Sequence, residues 1–170
     1  MPELKYRSML LERASADTDT QTVDASLSSE ASVERYPGEV EILSHDPAAI
    51  DLTRAADGLP LLFAHDHREQ VGIVENVRIE GRRLVGRLRF GASQRAQEIF
   101  ADVKAGIIKS LSIGYLIQES EPIEGGWLVT RWIIYEASIV GVPLDASVGV
   151  GRSSNFQGVT MPAAVSREVV

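Results

Sequence analysis

Alternation of apolar and polar residues on both sides of a glycine turn, near the middle of the chain, limits the fold more than any other feature. Residues 71–79 alternate, Glu80-Gly81 turns, and residues 84–90 alternate again, with Leu84, Gly86, Leu88 and Phe90 on one face. A period of two sends successive side chains to opposite faces of a strand, so the pair predicts a β-hairpin. Similar segments surround it. Residues 4–12 predict a short strand, residues 31–44 a strand or hairpin broken at Pro37-Gly38, and residues 59–64 a buried strand. Residues 107–117, 127–135 and 137–142 predict three more, the last closed by Pro143.

Two helices fit between the strands. Asp46-Pro47 predicts the capped start of a short helix that ends at Gly58. Ser93 predicts the cap of a second helix over residues 94–105, with Ala96, Ile99, Phe100 and Val103 at helical spacing and Gly106 at its end. Many short strands, two helices and frequent glycine turns predict a mainly β barrel or sandwich with peripheral helices, an α+β arrangement.

The chain is 170 residues long, a length that suits one domain with tails. Residues 14–30 are small, polar and acidic, with only Val23 and Leu27 as sizeable apolar groups, and so predict a mobile loop. The expected division is therefore residues 1–30, a strand plus an acidic loop; residues 31–148, the folded domain; and residues 149–170, a flexible tail of Gly, Ser, Val and Ala. Net charge is −7, and residues 1–50 carry 10 acidic against 4 basic side chains. The central arginines alternate with apolar residues instead of forming a dense basic face, which argues against nucleic acid as a partner. No apolar run approaches the ~20 residues of a membrane span, and the first residues lack a signal-peptide layout.

The chain has no cysteine, which removes disulfides, thiol nucleophiles, Cys-ligated zinc and iron–sulfur clusters. Serine is then the nucleophile to examine. Ser110 and Ser112 share one face of a strand, and Gly114 leaves room beside Ser112 for close approach. Strand serines usually face solvent or bond to backbone, so neither is singled out by type alone. A serine nucleophile needs a base, and imidazole is the usual one. Of His45, His65 and His67, His65 ends the strongest apolar strand, where a rigid element holds it. His67 falls in the polar Asp66-His67-Arg68-Glu69 turn. His65 and His67 could also be half of a metal site, completed by His45 or Asp46. Glu136 lies between two apolar runs, where a carboxylate needs a partner; Asp66 and Asp145 read as turn residues.

Taken in order, these pieces resemble a known family. Pro60-Leu-Leu-Phe-Ala-His65-Asp66, Val71-Gly-Ile-Val74, the hairpin ending Leu88-Arg-Phe90, the helix leading to Gly106, Leu111-Ser112-Ile-Gly-Tyr115, and Tyr135-Glu136-Ala-Ser-Ile-Val140 with Pro143 together resemble the HK97-like prohead serine proteases of tailed phages. The resemblance spans about residues 30–148. It implies a closed β barrel like that of the herpesvirus assembly protease. It implies a serine endopeptidase with His65 as base, Ser112 as nucleophile and Glu136 as the third catalytic residue, and no cofactor or metal. Backbone N–H groups would then hold the oxyanion. The implied substrates are a capsid protein's scaffolding segment or a scaffold protein, and the protease itself. The implied place is the host cytoplasm, inside the immature shell. Self-association is expected by the same analogy; nucleic acid and membrane are not. Competing readings are a non-catalytic capsid or scaffold component, a metal-dependent hydrolase using His65 and His67, and a small β-barrel binding module.

Overall fold

A computed structural model describes residues 3–11 and 15–142. The predicted tail over 149–170, together with Pro143 and Asp145, lies outside the described residues.

The longest ladder joins β9, Ser110–Ile123, to β10, Gly126–Val140, as an antiparallel hairpin turning at Gly125, whose φ of +76° suits a residue without Cβ. Everything that matters for the site is hung on this hairpin. On one side β9 pairs antiparallel with β1, Lys5–Leu10. On the other, β10 pairs in parallel with three short strands in succession: β4 (Glu39–Leu43), β5 (Ile50–Asp51) and β6 (Leu59–Phe63). The sheet continues from β6 through β7 (Asp66–Glu80) and β8 (Arg83–Phe90) to β2 (Thr22–Ser29), and β3 (Val33–Tyr36) pairs with β4. The fold is mainly β, as the alternation predicts.

The sheet curls so that its two terminal strands, β1 and β2, approach each other. No ladder joins them among the described residues. Instead the Arg7 guanidinium on β1 donates to the carbonyl of Ser29 at 3.4 Å and to that of Ala31 at 3.0 Å. The inside of the curl is the core. Leu27, Leu43, Leu59, Leu61, Val74, Leu84, Leu88, Leu111, Ile113, Trp132, Ile134 and Ile139 are fully or almost fully buried there, each Leu- or Ile-sized side chain worth about 1.5–3 kcal/mol against exposure. The helix α1, Gln94–Lys104, covers one end with Ala96, Ile99, Phe100 and Val103, and Phe100 meets Phe90 at 5.2 Å between ring centroids. Its N-cap is Ser93, whose hydroxyl accepts from the Ala96 N–H.

Three expectations are corrected. Thr22–Ser29 is a strand, not part of a mobile loop: Val23, Ala25 and Leu27 face the core, and β8 supplies the partner that its composition hides. Residues 46–57 are not an α-helix. Asp46 makes a turn, its carboxylate accepting from Ala48 N–H at 2.9 Å, before the chain pairs with β10 as β5 and makes a single 3-10 turn over Thr53–Ala55. A long neighbouring strand with open hydrogen-bonding groups wins over weak helix propensity. The two strands expected over 127–135 and 137–142 are one, Gly126–Val140, with a register shift between Ile134 and Glu136 where a break was expected.

Candidate active site

That register shift sets the position of Glu136. Trp132 and Ile134 face the core, and so do Ala137 and Ile139. An odd spacing between inward pairs means that one extra residue has been inserted, a β-bulge. Without it Glu136 would continue the inward set. With it, Glu136 and Ser138 share the outer face. Strand pairing then builds a grid on that face. Tyr6, Gly114 and Glu136 form one row across β1, β9 and β10; Ser8, Ser112 and Ser138 form the next; Leu10, Ser110 and Val140 form the third.

His65 comes to this grid from the β6–β7 connection. Ala64 and His65 both have left-handed backbones, φ +53° and +57°. Neither is glycine, and each such residue costs on the order of 1–3 kcal/mol unless its surroundings impose it. They do. Ala64 N–H donates to the Ile139 carbonyl at 2.9 Å, and His65 N–H donates to the Ser138 hydroxyl at 3.1 Å. The turn is thereby fastened to β10, and its strain aims the imidazole back over the grid.

The resulting network runs in one direction. Ser112 Oγ lies 2.9 Å from His65 Nε2, and His65 Nδ1 bonds to Glu136 Oε1. Ser138 Oγ–H donates to the other carboxylate oxygen, Oε2, at 3.0 Å. With Nδ1 donating to the carboxylate, Nε2 is left as the acceptor for the serine hydroxyl. Glu136 is 2% exposed and uses both oxygens, which is how a buried carboxylate is tolerated. Gly114 makes room for it: a Cβ at that position would sit 2.6 Å from Glu136 Oε1. The sequence marks Gly114 as a point of close approach, and the carboxylate is what approaches. Tyr6 flanks the imidazole, ring centroids 4.2 Å apart. Burial, then the charges of Glu136 and Glu3, push its phenol above the ordinary range.

The structure therefore brings His65, Ser112 and Glu136 into one hydrogen-bonded series. Ser110 lies one row away. The other candidates lie elsewhere. His67 is exposed on β7. His45 is buried, its Nδ1 bonding to the Leu43 carbonyl at 2.9 Å and its ring edge-on to Trp132. Asp66 accepts from the Arg68 backbone and guanidinium, which hold its carboxyl at about 2. Among the described residues no group of three or more His, Asp or Glu side chains is placed to hold a metal ion. Ser138 and Tyr6 are neighbours that the sequence reading missed. For Ser138 the available signal was its spacing of two from Glu136; Tyr6 had none, because its row is set by strand pairing.

A carboxylate-oriented imidazole touching a serine hydroxyl is the arrangement that activates serine for acyl transfer. Comparison with known proteins points the same way. Residues 11–159 match the family described as caudovirus prohead serine protease. Among curated proteins, the chain is 43% identical over 139 residues to the major capsid protein of Halomonas phage phiHAP-1, covering 76% of this chain and 23% of that protein. It is 26% identical over 101 residues to the capsid polyprotein of Pseudomonas phage PAJU2, covering 54% of this chain and 15% of that one. The chain thus spans about a quarter or less of the curated relatives it matches. Among solved structures, the bacteriophage T4 capsid assembly protease superposes with a TM-score of 0.62 at 15% identity, over 84% of this chain and 99% of that one, which establishes likeness of fold.

Proposed function

The chain belongs to the caudovirus prohead serine protease family, and from that premise we propose that it is a serine endopeptidase of phage capsid maturation, with Ser112 as nucleophile, His65 as general base and Glu136 as the orienting carboxylate. The observation that carries this reading is the continuous series from Glu136 through His65 to Ser112. Ser112 Oγ attacks the peptide carbonyl while its proton passes to His65 Nε2. The C–N bond then breaks and the leaving amine takes that proton. Water, deprotonated by the same nitrogen, releases the acyl group. Glu136 fixes the imidazole with Nε2 unprotonated and stabilises the cation that forms. Ser138 holds Glu136 from the other side and His65 by its backbone. Ser112 has no exposed surface in this structure, so a substrate reaches it only when the atoms covering it shift.

The substrate in this reading is a capsid protein's scaffolding segment or a scaffold protein, and the protease itself, inside the prohead in the host cytoplasm. Support comes from the relatives: both are capsid polypeptides in which the matched region is a small part of a much longer chain. A protease joined to its substrate needs a cut to separate them. Self-association belongs to the same reading, as does closure of the sheet into a herpesvirus-type barrel through the β1–β2 seam that Arg7 spans.

The test is co-expression with the cognate capsid polypeptide. Wild type shortens it and its own precursor, while Ser112→Ala and His65→Ala leave both intact. Equal shortening in all three would overturn the assignment.

A further inference from the structure

Three buried hydroxyls outside the hydrogen-bonded series have no hydrogen-bond partner among the described residues: Ser8 on β1, and Ser26 and Ser28 on β2. Such groups are uncommon in folded proteins, because each gives up its bonds to water and receives nothing in return. Ser8 differs from the other two in its place. Its cross-strand partner is Ser112, in the middle row of the grid, and it is 3% exposed. Ser26 and Ser28 pair only with β8, at Val85 and Leu84.

Directly opposed residues on one sheet face have Cβ atoms about 4.5–5.5 Å apart. When Ser112 attacks a carbonyl, the new oxyanion forms two bonds away from Ser112 Oγ, and a donor serves it at about 2.7–3.1 Å. A hydroxyl projecting from the opposed position is within that reach. His65 and Glu136 take the other side of Ser112: both are held by β10, whereas Ser8 approaches from β1. The series that deprotonates the nucleophile and the free hydroxyl thus flank it from opposite strands. A donor left unpaired in the resting protein is also free of any bond that must break before it can serve.

The geometry points to Ser8 as a catalytic residue: its Oγ–H donates a hydrogen bond to the oxygen that becomes negative as Ser112 adds to the acyl or phosphonyl centre. This rests on the serine-protease reading above. Ser8 gives up no proton. Its hydrogen bond strengthens as charge develops on that oxygen and relaxes when the carbonyl re-forms.

The experiment measures the rate at which a fluorophosphonate labels Ser112, with thermal unfolding measured on the same samples. In that probe the phosphoryl oxygen stands where the carbonyl oxygen would, and fluoride leaves. Removing one oxyanion donor lowers rates by about 10²–10³-fold, so Ser8→Ala is expected to label that much more slowly. Its melting temperature should be unchanged or higher, because the variant deletes an unpaired buried hydroxyl. Ser8→Thr, which keeps the hydroxyl, should recover part of the rate, and Ser26→Ala, which removes an equally buried one, should label like wild type. Wild-type labelling in Ser8→Ala overturns the role of Ser8 alone. So does slowing accompanied by a lower melting temperature, or equal slowing in Ser26→Ala. Failure of wild type itself to label at Ser112 overturns the protease reading and this inference with it.

Discussion

Gly114 shows how one missing Cβ can shape the proposed active site. Glu136 packs its carboxylate against the Gly114 backbone, and a methyl group there would stand 2.6 Å from Oε1, inside any normal contact. Backbone conformation gives no reason for glycine, since Gly114 is an ordinary strand residue without positive φ. Gly114→Ala is therefore expected to move the carboxylate and spare the fold. Displacements of about 1 Å in a catalytic group cost on the order of 10²-fold in rate. Capsid-polypeptide cleavage in the co-expression assay should fall by about that factor, with the far-UV circular dichroism unchanged. Wild-type cleavage would show that Glu136 is not needed where it lies. At this scale residue type pointed to His65, which ends an apolar strand, and to Glu136, which lies between two apolar runs, whereas Ser112 was set apart by the family resemblance and not by type. Ser138 lies in an apolar run as well and was not singled out, and Ser8 and Tyr6 carry no such mark. Their place depends on strand parity and on a bulge, which only the pairing of three strands reveals.

Among the elements, those with a single period were legible. β8 and α1 read directly, because each buries one face against the core and repeats that face regularly; β7 read as a strand although its register shifts between Glu75 and Arg78. β2 did not. Its polar residues Asp24, Ser26 and Ser28 make it look like linker, a further register shift falls between Ser26 and Ser28, and its ladder partner β8 is about sixty residues away. β5 was hidden by helix-like signals at Asp46-Pro47. The cap on α1 tests whether element stability and catalysis are separable. Ser93 lies on the helix side of the core, and its hydroxyl satisfies the Ala96 N–H at 3.2 Å. Ser93→Ala removes that bond, which costs about 1 kcal/mol. In a protein of this size the melting temperature should then fall by about 2–4 °C. Fluorophosphonate labelling should keep its wild-type rate below the transition, since α1 packs chiefly on β7 and β8 and not on the β1–β9–β10 rows. A change in labelling rate would show that α1 positions the site.

Over the whole molecule, charge explains both the sequence asymmetry and the response to acid. The acidic N-terminal part lies along the arginine-bearing hairpin: Asp24 pairs with Arg87 at 2.8 Å and Glu30 with Arg82 at 2.5 Å. These pairs are at the surface and each is worth about 0–1 kcal/mol. The interior groups matter more. Glu41 is buried; desolvation alone would raise its carboxyl, but the Tyr115 hydroxyl, Arg35 and Arg7 outweigh that and hold it below the usual range. His45 is pushed below its ordinary value of 6.5, first by burial, while the Leu43 carbonyl and Glu30 oppose the shift and Arg7 adds to it. Both groups have depressed folded-state values, so the unfolded chain binds protons first as pH falls, and stability declines in acid. The two windows differ. His45 begins to act just below pH 6.5, where the unfolded imidazole protonates and the folded one does not. Glu41 acts only below its ordinary 4.5. Replacing His45 by Phe keeps an aromatic ring beside Trp132 and deletes the upper window alone. The melting temperature of wild type should fall between pH 7 and pH 5, and His45→Phe should be flatter over that interval. Below pH 4.5 the two should decline together, because the Glu41 cluster is intact in both. Parallel curves from pH 7 to pH 5 would mean that His45 takes up its proton in the folded state, against the burial that surrounds it.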